Sequence, residues 1–275
     1  MRGLRRLRGR LSTALHQADL SMERTYRSLM RPELLVGYRV QVQESDLMVY
    51  TTTEMRQSAW DWLEFYRRQI STYLQRDTRF QTSLAPLPLL PGAPEIIRSM
   101  GRAAGLAGVG PMAAVAGAIA EFVGRKLASQ SAEVVVENGG DIWVHSQRER
   151  HVLVHAGLSP WSERVAIRVR SDQPLSICTS SGTVGHSLSF GAADAALAIS
   201  RDASLADAVA TAIGNRVKTQ ADIEAAVDFA ASIPGISGCL VIIGDHLGVR
   251  GQVELITPGG GIAVAAGTGL PGQPG

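Results

Sequence analysis

The stretch EVVVENGGDIWVH, residues 133–145, predicts a β-hairpin: a Gly-Gly turn lies between two short runs rich in apolar, β-branched residues. The turn also holds an amide and two carboxylates, which can contact a ribose or a cation. Glycines let backbone amides come close to a phosphate or a flavin edge. The candidate ligand-binding residues are therefore Glu137, Asn138, Gly139, Gly140 and Asp141. Taken alone, these residues are better explained as a simple hairpin turn.

Further strands are predicted on both sides of this hairpin. Residues 34–43 alternate apolar and polar side chains, and 46–53 follow as a second strand after a short turn. Other short strands are predicted at 151–155, 164–170, 174–179, 193–200, 238–244 and 249–256. Helices are predicted at 56–76, at 95–104 before a glycine turn at 105–110, from Pro111, and from Ser204 and Thr219. Strands outnumber the available crossover helices, so the fold class is α+β, with mixed or antiparallel sheets covered by helices.

The composition is that of a globular protein, with 45% hydrophobic and 19% charged residues in a chain of 275. A net charge of +2 gives no reason to expect a nucleic-acid partner. Residues 1–23 begin with closely spaced arginines; a solvated basic extension is favoured over a segment that binds an anionic surface. Residues 103–120 are uncharged but short and contain Pro111, so no membrane span is expected. Homo-oligomerisation stays open.

The two cysteines show no disulfide framework and no zinc-binding spacing, which favours a reducing, cytoplasmic location. Residues 178–187, CTSSGTVGHS, bring a thiol, several hydroxyls, two glycines and an imidazole together. Loops of this type present amides and hydroxyls to anionic oxygens, so a binding role is favoured over a plain surface loop. The binding candidates are Thr179, Ser180, Ser181, Gly182, Thr183 and Gly185, and the catalytic candidates are His186 and Cys178.

Asp207 and Thr211 are four residues apart on a predicted helix and therefore share one face. A carboxylate and a hydroxyl in this arrangement suit Mg²⁺, which prefers oxygen ligands. The alternative is structural: in the sequence Ser204-Leu205-Ala206-Asp207, the acid occupies the third position of a helix capping box. Residue spacing alone does not decide between the two.

Several of these segments resemble ApbE, the FAD:protein FMN transferase family. Residues 137–142 resemble its GGDI segment, 177–180 its ATSG strand end, and 206–212 its ADALATA helix; His186 resembles its following histidine. A smaller, uncharacterised ApbE-like family is more similar, through AGVGPMAAVAGAIAE at 107–121, VENGGDI at 136–142 and CTSSGTVGHSLSFG at 178–191. The resemblance implies an ApbE-like, T-fold-like domain over 24–256, followed by a flexible Gly/Pro-rich tail at 257–275.

The resemblance also implies a chemistry. Asp207 and Thr211 would be Mg²⁺ ligands together with a backbone carbonyl near Val115, and the glycine turn would face FAD or FMN. ApbE enzymes move FMN from FAD onto a protein hydroxyl, with AMP as the leaving group. Ala116 occupies the position of the lysine in the family's AKG motif, and 187–194 replace its DPRTG turn, so the fold and pocket are expected to transfer more readily than the activity.

Three functions follow from the sequence. The first is an Mg²⁺-dependent enzyme that acts on a flavin or another nucleotide by group transfer or pyrophosphate hydrolysis. The second is a non-catalytic binder of a nucleotide or flavin. The third is a sulfur-transfer protein, in which Cys178 has a lowered pKa beside His186. Against this third function stands the common fate of a free cysteine, which is burial as a small apolar residue.

Overall fold

The chain folds into two antiparallel sheets with helices on one side, which confirms the α+β prediction. The computed structural model describes residues 34–170, 173–182, 191–258 and 260–265, the last of these as backbone. The first sheet has eight strands in the order β1-β2-β3-β4-β7-β8-β9-β10, and the second has four in the order β12-β11-β6-β5.

The strands of the large sheet are β1 Val36–Val42, β2 Ser45–Thr51, β3 Val134–Asn138, β4 Asp141–His145, β7 Leu175–Ser180, β8 Ala195–Ser200, β9 Ile236–Ile243 and β10 His246–Gly251. The small sheet contains β5 Arg150–Leu153, β6 Ala166–Val169, β11 Glu254–Thr257 and β12 Gly260–Ala265. The α-helices are α1 Arg56–Arg76, α2 Arg79–Thr82, α3 Glu95–Ala107, α4 Val115–Leu127, α5 Ala203–Arg216 and α6 Ile223–Ser232. Short 3₁₀ turns at Pro111–Ala114 and Gln220–Asp222 precede α4 and α6.

The central strands are buried on both faces. All five residues of β3 and all six of β8 are buried, which explains why the apolar residues 134–136 and 195–199 follow one another without alternation. One core lies between the helices and the large sheet and includes Trp143 of β4. A second core lies between the two sheets and includes Ile167 of β6. The large sheet is therefore the middle layer of the described domain.

The predicted helix at 56–76 is confirmed at both ends, whereas two other helix boundaries were wrong. Helix α3 continues through Gly105 to Ala107 and ends at Gly108, whose φ of 71° is a left-handed C-terminal cap. Ser204 does not cap α5, because the carboxylate of Asp202 accepts the Leu205 amide at 3.0 Å. The capping box at Thr219 is confirmed.

The C-terminal strands differ from the predicted hairpin. The strands β9 and β10 pair around Gly244, but the predicted strand at 249–256 is divided at Gly251, which has a φ of 76°. After this bend, β11 leaves the large sheet and pairs with β6 in the small one. The backbone of β12 lies inside the segment that was predicted to be a flexible tail.

The helix α3 and the segment Pro111–Leu127 are the most apolar candidates for a membrane span in the described part of the chain. In the described part of the chain, no single helix is long and apolar enough to cross a membrane. The helix α3 and the segment Pro111–Leu127 reach that length and hydropathy only as a pair, and the pair is bent by 108° at the break.

The packing of α4 on β4 gives a test of this layer. A Cβ atom on Gly124 would lie 2.3 Å from the ring of Trp143, whereas one on Gly105 of α3 would meet no atom within 4 Å. We expect Gly124→Ala to lower the free energy of unfolding by about 1–3 kcal/mol through overpacking. Gly105→Ala is the matched control, and we expect it to be neutral or to add up to about 1 kcal/mol from helix propensity. Urea denaturation measures both; equal stability of the two variants would contradict this packing.

Candidate functional site

Three of the predicted segments meet at the start of α4. The side-chain amide of Asn138, at the end of β3, donates to the Ala116 carbonyl at 3.0 Å. The carboxylate of Asp207 on α5 accepts the Gly117 amide at 2.8 Å. The carboxylate of Asp141, at the start of β4, accepts the Thr179 amide of β7 at 3.1 Å. The hairpin and α5 therefore both bind the start of α4, and the end of β7 is joined to them through the hairpin.

The Gly-Gly turn is a two-residue hairpin. Gly139 and Gly140 have φ angles of 65° and 102°, which side chains rarely adopt, and a Cβ on either would meet no atom within 4 Å. Backbone conformation, not crowding, therefore requires glycine here. The Gly140 amide donates to Glu137 Oε1 at 2.8 Å, so this amide, which was expected to be available for a ligand, is already satisfied inside the hairpin.

The carboxylate of Asp207 is buried and points at the neighbouring helix, not at its own helix start. Burial raises its pKa to about 7, and hydrogen bonds from the amides of Gly117 and Ala116 partly oppose this shift. With Asp202 as the cap of α5, the capping-box explanation of Asp207 was wrong. Thr211 lies one turn further along α5 and is half-buried.

Asp141 and Cys178 lie beside Asp207. Burial, followed by the charge of Asp207, raises the pKa of the Asp141 carboxyl well above its usual range. Burial likewise raises the pKa of the Cys178 thiol well above its usual range, and the two carboxylates raise it further. The sulfur also lies 3.5 Å from the Ala203 carbonyl oxygen. Apolar burial and negative neighbours both disfavour a thiolate, so these surroundings do not favour the lowered pKa that a nucleophilic Cys178 requires.

Sequence reasoning missed Glu121 on α4. Its carboxylate accepts the Ala203 amide, the first of α5, at 2.7 Å. Burial raises the pKa of Glu121 to about 7, and the Ala203 amide and Arg125 partly oppose the shift. Asp207 of α5 binds an amide at the start of α4, and Glu121 of α4 binds an amide at the start of α5. The two helices are therefore joined by a reciprocal pair of hydrogen bonds. The signal was present, since Glu121 is the first acid after the long uncharged stretch at 103–120.

The predicted ligand loop is described only at its base. Thr183, Gly185 and the catalytic candidate His186 lie outside the described residues. Ser180 is buried at the end of β7, and Thr179 and Ser181 are half-buried. The Gly182 amide donates to the Ala193 carbonyl at 2.9 Å, and a Cβ on Gly182 would lie 2.2 Å from the Gly191 carbonyl oxygen. Gly182 therefore closes the base of the loop by backbone contact.

The described residues contain no group of three or more His, Cys, Asp or Glu side chains that could hold a metal ion. A cation here would therefore rely on Asp207 together with hydroxyl, carbonyl and water oxygens, a ligand set that Mg²⁺ accepts. A cavity of about 930 Å³ lies at the opposite end of β7 and β8, near Leu175 and Ser200, and none of the predicted site residues lines it.

Comparisons with known proteins agree with this architecture. The family model described as AbpE bacteria matches residues 27–253. A UPF0280 protein of Methanocella arvoryzae is 39% identical over 219 residues, which cover 79% of this chain and 89% of the relative. A UPF0280 protein of Methanopyrus kandleri is 39% identical over 225 residues, which cover 79% of this chain and 91% of the relative.

Solved structures share the fold at low sequence identity. The flavinyl transferase ApbE of Pseudomonas stutzeri, in its apo form, has a TM-score of 0.51 at 12% identity and covers 78% of this chain and 94% of its own. The flavin transferase ApbE of Vibrio cholerae has a TM-score of 0.52 at 12% identity, covering 80% and 97%. At this identity, the comparison establishes the fold alone.

The raised pKa of Glu121 predicts how stability depends on pH. A buried carboxyl with a folded pKa of about 7 and an unfolded value near 4.5 stabilises the fold fully below pH 4.5. That contribution falls as pH rises through 7. We expect Glu121→Gln, which is neutral at every pH, to reduce the stability difference between pH 5 and pH 8 by roughly 2 kcal/mol.

Urea denaturation at the two pH values measures this difference. The control is Glu95→Gln, because Glu95 also pairs with Arg125 but is two-thirds exposed, at 66%. The same reduction in both variants would show that the effect does not come from burial of Glu121.

The burial of both cysteines predicts slow thiol chemistry. Cys178 and Cys239 are buried, and burial raises the pKa of Cys239 to about 11. We expect alkylation of the native protein by iodoacetamide to be slow across pH 6.5–8.5, as mass spectrometry would report, and complete only in denaturant. Rapid native labelling of Cys178 with an apparent pKa below 8 would restore the sulfur-transfer hypothesis.

Proposed function

The chain belongs to the AbpE bacteria family, and on that premise we propose that it is an Mg²⁺-dependent protein that binds and acts on FAD or a related nucleotide. The reaction would be transfer of the FMN portion, or hydrolysis of the pyrophosphate. Both require a site that binds a dinucleotide and compensates the negative charge of its phosphates.

One observation carries the proposal: the Asp207 carboxylate is held at the start of α4, next to the Gly-Gly hairpin and the end of β7. Asp207 and Asp141 are both buried and interact electrostatically, so the two negative charges disfavour each other. A divalent cation would relieve this repulsion, and a carboxylate that accepts hydrogen bonds from the Gly117 and Ala116 amides still has lone pairs left for a metal. The residues therefore fit Mg²⁺.

The proposal assigns a role to each group. Asp207 and Thr211 would hold Mg²⁺, which supplies charge neutralisation at the pyrophosphate and polarises the bond to be broken. The hairpin residues Glu137–Asp141 and the loop 179–185 would bind the nucleotide through amides and hydroxyls. His186 would act as an acid or base, or contact a phosphate.

A non-catalytic flavin or nucleotide binder is the second candidate, and Ala116 favours it. This residue stands where the resemblance places a lysine, so position 116 supplies no ammonium group that could contact a phosphate. Turnover of bound FAD, followed by chromatography of the products, separates the two candidates. The thiol-based candidate loses support, because Cys178 is fully buried.

The proposal predicts FAD binding that depends on Mg²⁺ and on Asp207. We expect Asp207→Asn, which keeps an acceptor for the Gly117 amide but removes the charge, to weaken Mg²⁺-dependent FAD affinity roughly 10-fold or more. The control is Asp202→Asn on the same helix, where the carboxylate binds Leu205 and Arg102 instead. Calorimetric titration with FAD, with and without Mg²⁺, measures the affinities. Equal FAD affinity of wild type and Asp207→Asn in Mg²⁺ would contradict the proposal.

A further inference from the structure

We infer that Glu121 is a positioning residue for the metal site: by holding the first amide of α5, it fixes where the Asp207 carboxylate lies. The inference rests on the proposed function insofar as it concerns Mg²⁺. The tie between the two helices is independent of that function.

The geometry is a closed loop of four residues. Gly117 and Glu121 are four residues apart on α4, and Ala203 and Asp207 are four apart on α5, so each pair spans about one helical turn. Glu121 accepts the Ala203 amide at 2.7 Å, and Asp207 accepts the Gly117 amide at 2.8 Å. Each hydrogen bond joins the first turn of one helix to a carboxylate further along the other. The two helices are thus tied together twice, once from each helix.

The two helices approach too closely for a side chain at Gly117. A Cβ atom on Gly117 would lie 2.4 Å from the Ala203 carbonyl oxygen and 2.9 Å from the Asp207 Cβ. The backbones are thus in contact between the two ties. A slide of one residue, about 1.5 Å along either axis, would break both hydrogen bonds. Loss of one tie leaves the other to resist that slide alone.

Glu121 differs from an ordinary cap of α5, because it lies on another helix. Helix N-terminal amides need acceptors, and carboxylates are favoured there. The Asp202 carboxylate accepts the Leu205 amide at 3.0 Å, whereas Glu121 accepts a different amide of the same turn, that of Ala203. Glu121 is a second carboxylate at the same helix start, it comes from another helix, and only 13% of its side chain is exposed. A buried acid is weak evidence for stability, and it is better explained by the geometry that it specifies.

The experiment uses the full chain with Glu121→Ala, Glu121→Gln and Asp202→Ala. Amide hydrogen exchange, followed by NMR, reports the Gly117 amide, which lies four residues from position 121 and binds Asp207. We expect Glu121→Ala to speed exchange at Gly117 by about 10-fold or more through local opening. Glu121→Gln, which keeps an acceptor for Ala203, should restore protection. Asp202→Ala removes a cap of the same helix and should leave Gly117 protected.

The same variants are titrated with MgCl₂ in the presence of FAD. We expect Glu121→Ala to weaken Mg²⁺ affinity by about 10-fold, as loss of a group that orients a ligand does, while Glu121→Gln and Asp202→Ala stay within about 2-fold of wild type. If Glu121→Ala does not fold, Glu121→Asp takes its place, because the shorter side chain withdraws the acceptor from Ala203.

The outcomes separate the inference from the proposed function. Absence of Mg²⁺ binding by the wild type would refute the metal proposal, whereas Gly117 exchange would still decide whether Glu121 positions Asp207. Wild-type protection of Gly117 in Glu121→Ala would overturn the inference. An equal loss of protection in Asp202→Ala would also overturn it, because general fraying of α5 would then suffice.

Discussion

The backbones of α4 and α5 touch at Gly117 and Ala203, and the arrangement of the candidate site depends on this contact. No side chain fits between them, since a Cβ on Gly117 would lie 2.4 Å from the Ala203 carbonyl oxygen. The close approach brings the first amides of each helix within reach of a carboxylate on the other. Next to this contact, the side-chain amide of Asn138 at the hairpin end donates to the Ala116 carbonyl. The acids that reach across this interface are Asp207 of α5 and Glu121 of α4. Each accepts a backbone amide of the other helix.

Burying several acids close together costs free energy, and hydrogen bonds from backbone amides offset part of that cost. Asp207 and Glu121 each accept an amide at a helix start, which favours their charged forms, while burial raises the pKa of both to about 7. The pKa of Asp141 is raised well above its usual range, since the charge of Asp207 adds to the effect of burial. Near neutral pH, a cation that binds beside these carboxyls would therefore lower their pKa values and displace protons from them.

Much of the fold was predictable, because its signals are local. The Gly-Gly pair at 139–140, the helix at 56–76 and the capping box at Thr219 each follow from residue types within a few positions. The site was predictable only in outline. Asp141, Cys178 and Asp207 were singled out, but their partners were not, because a hydrogen bond from Gly117 to a residue 90 positions away leaves no periodic trace. The same reason hid Glu121, and it made Asp207 resemble a capping acid of its own helix.

The small sheet has a consequence for how the chain folds during synthesis. The large sheet grows mainly by adding each new strand beside an earlier neighbour, so it can assemble as the polypeptide leaves the ribosome. The edge of β6 must wait, since Ile167 pairs with Leu255, which follows it much later in the sequence. Until then, β6 presents unpaired backbone groups, and the apolar face between the sheets lacks part of its cover. Late arrival of β11 is thus the step at which a nascent chain would be most exposed to self-association and to chaperones.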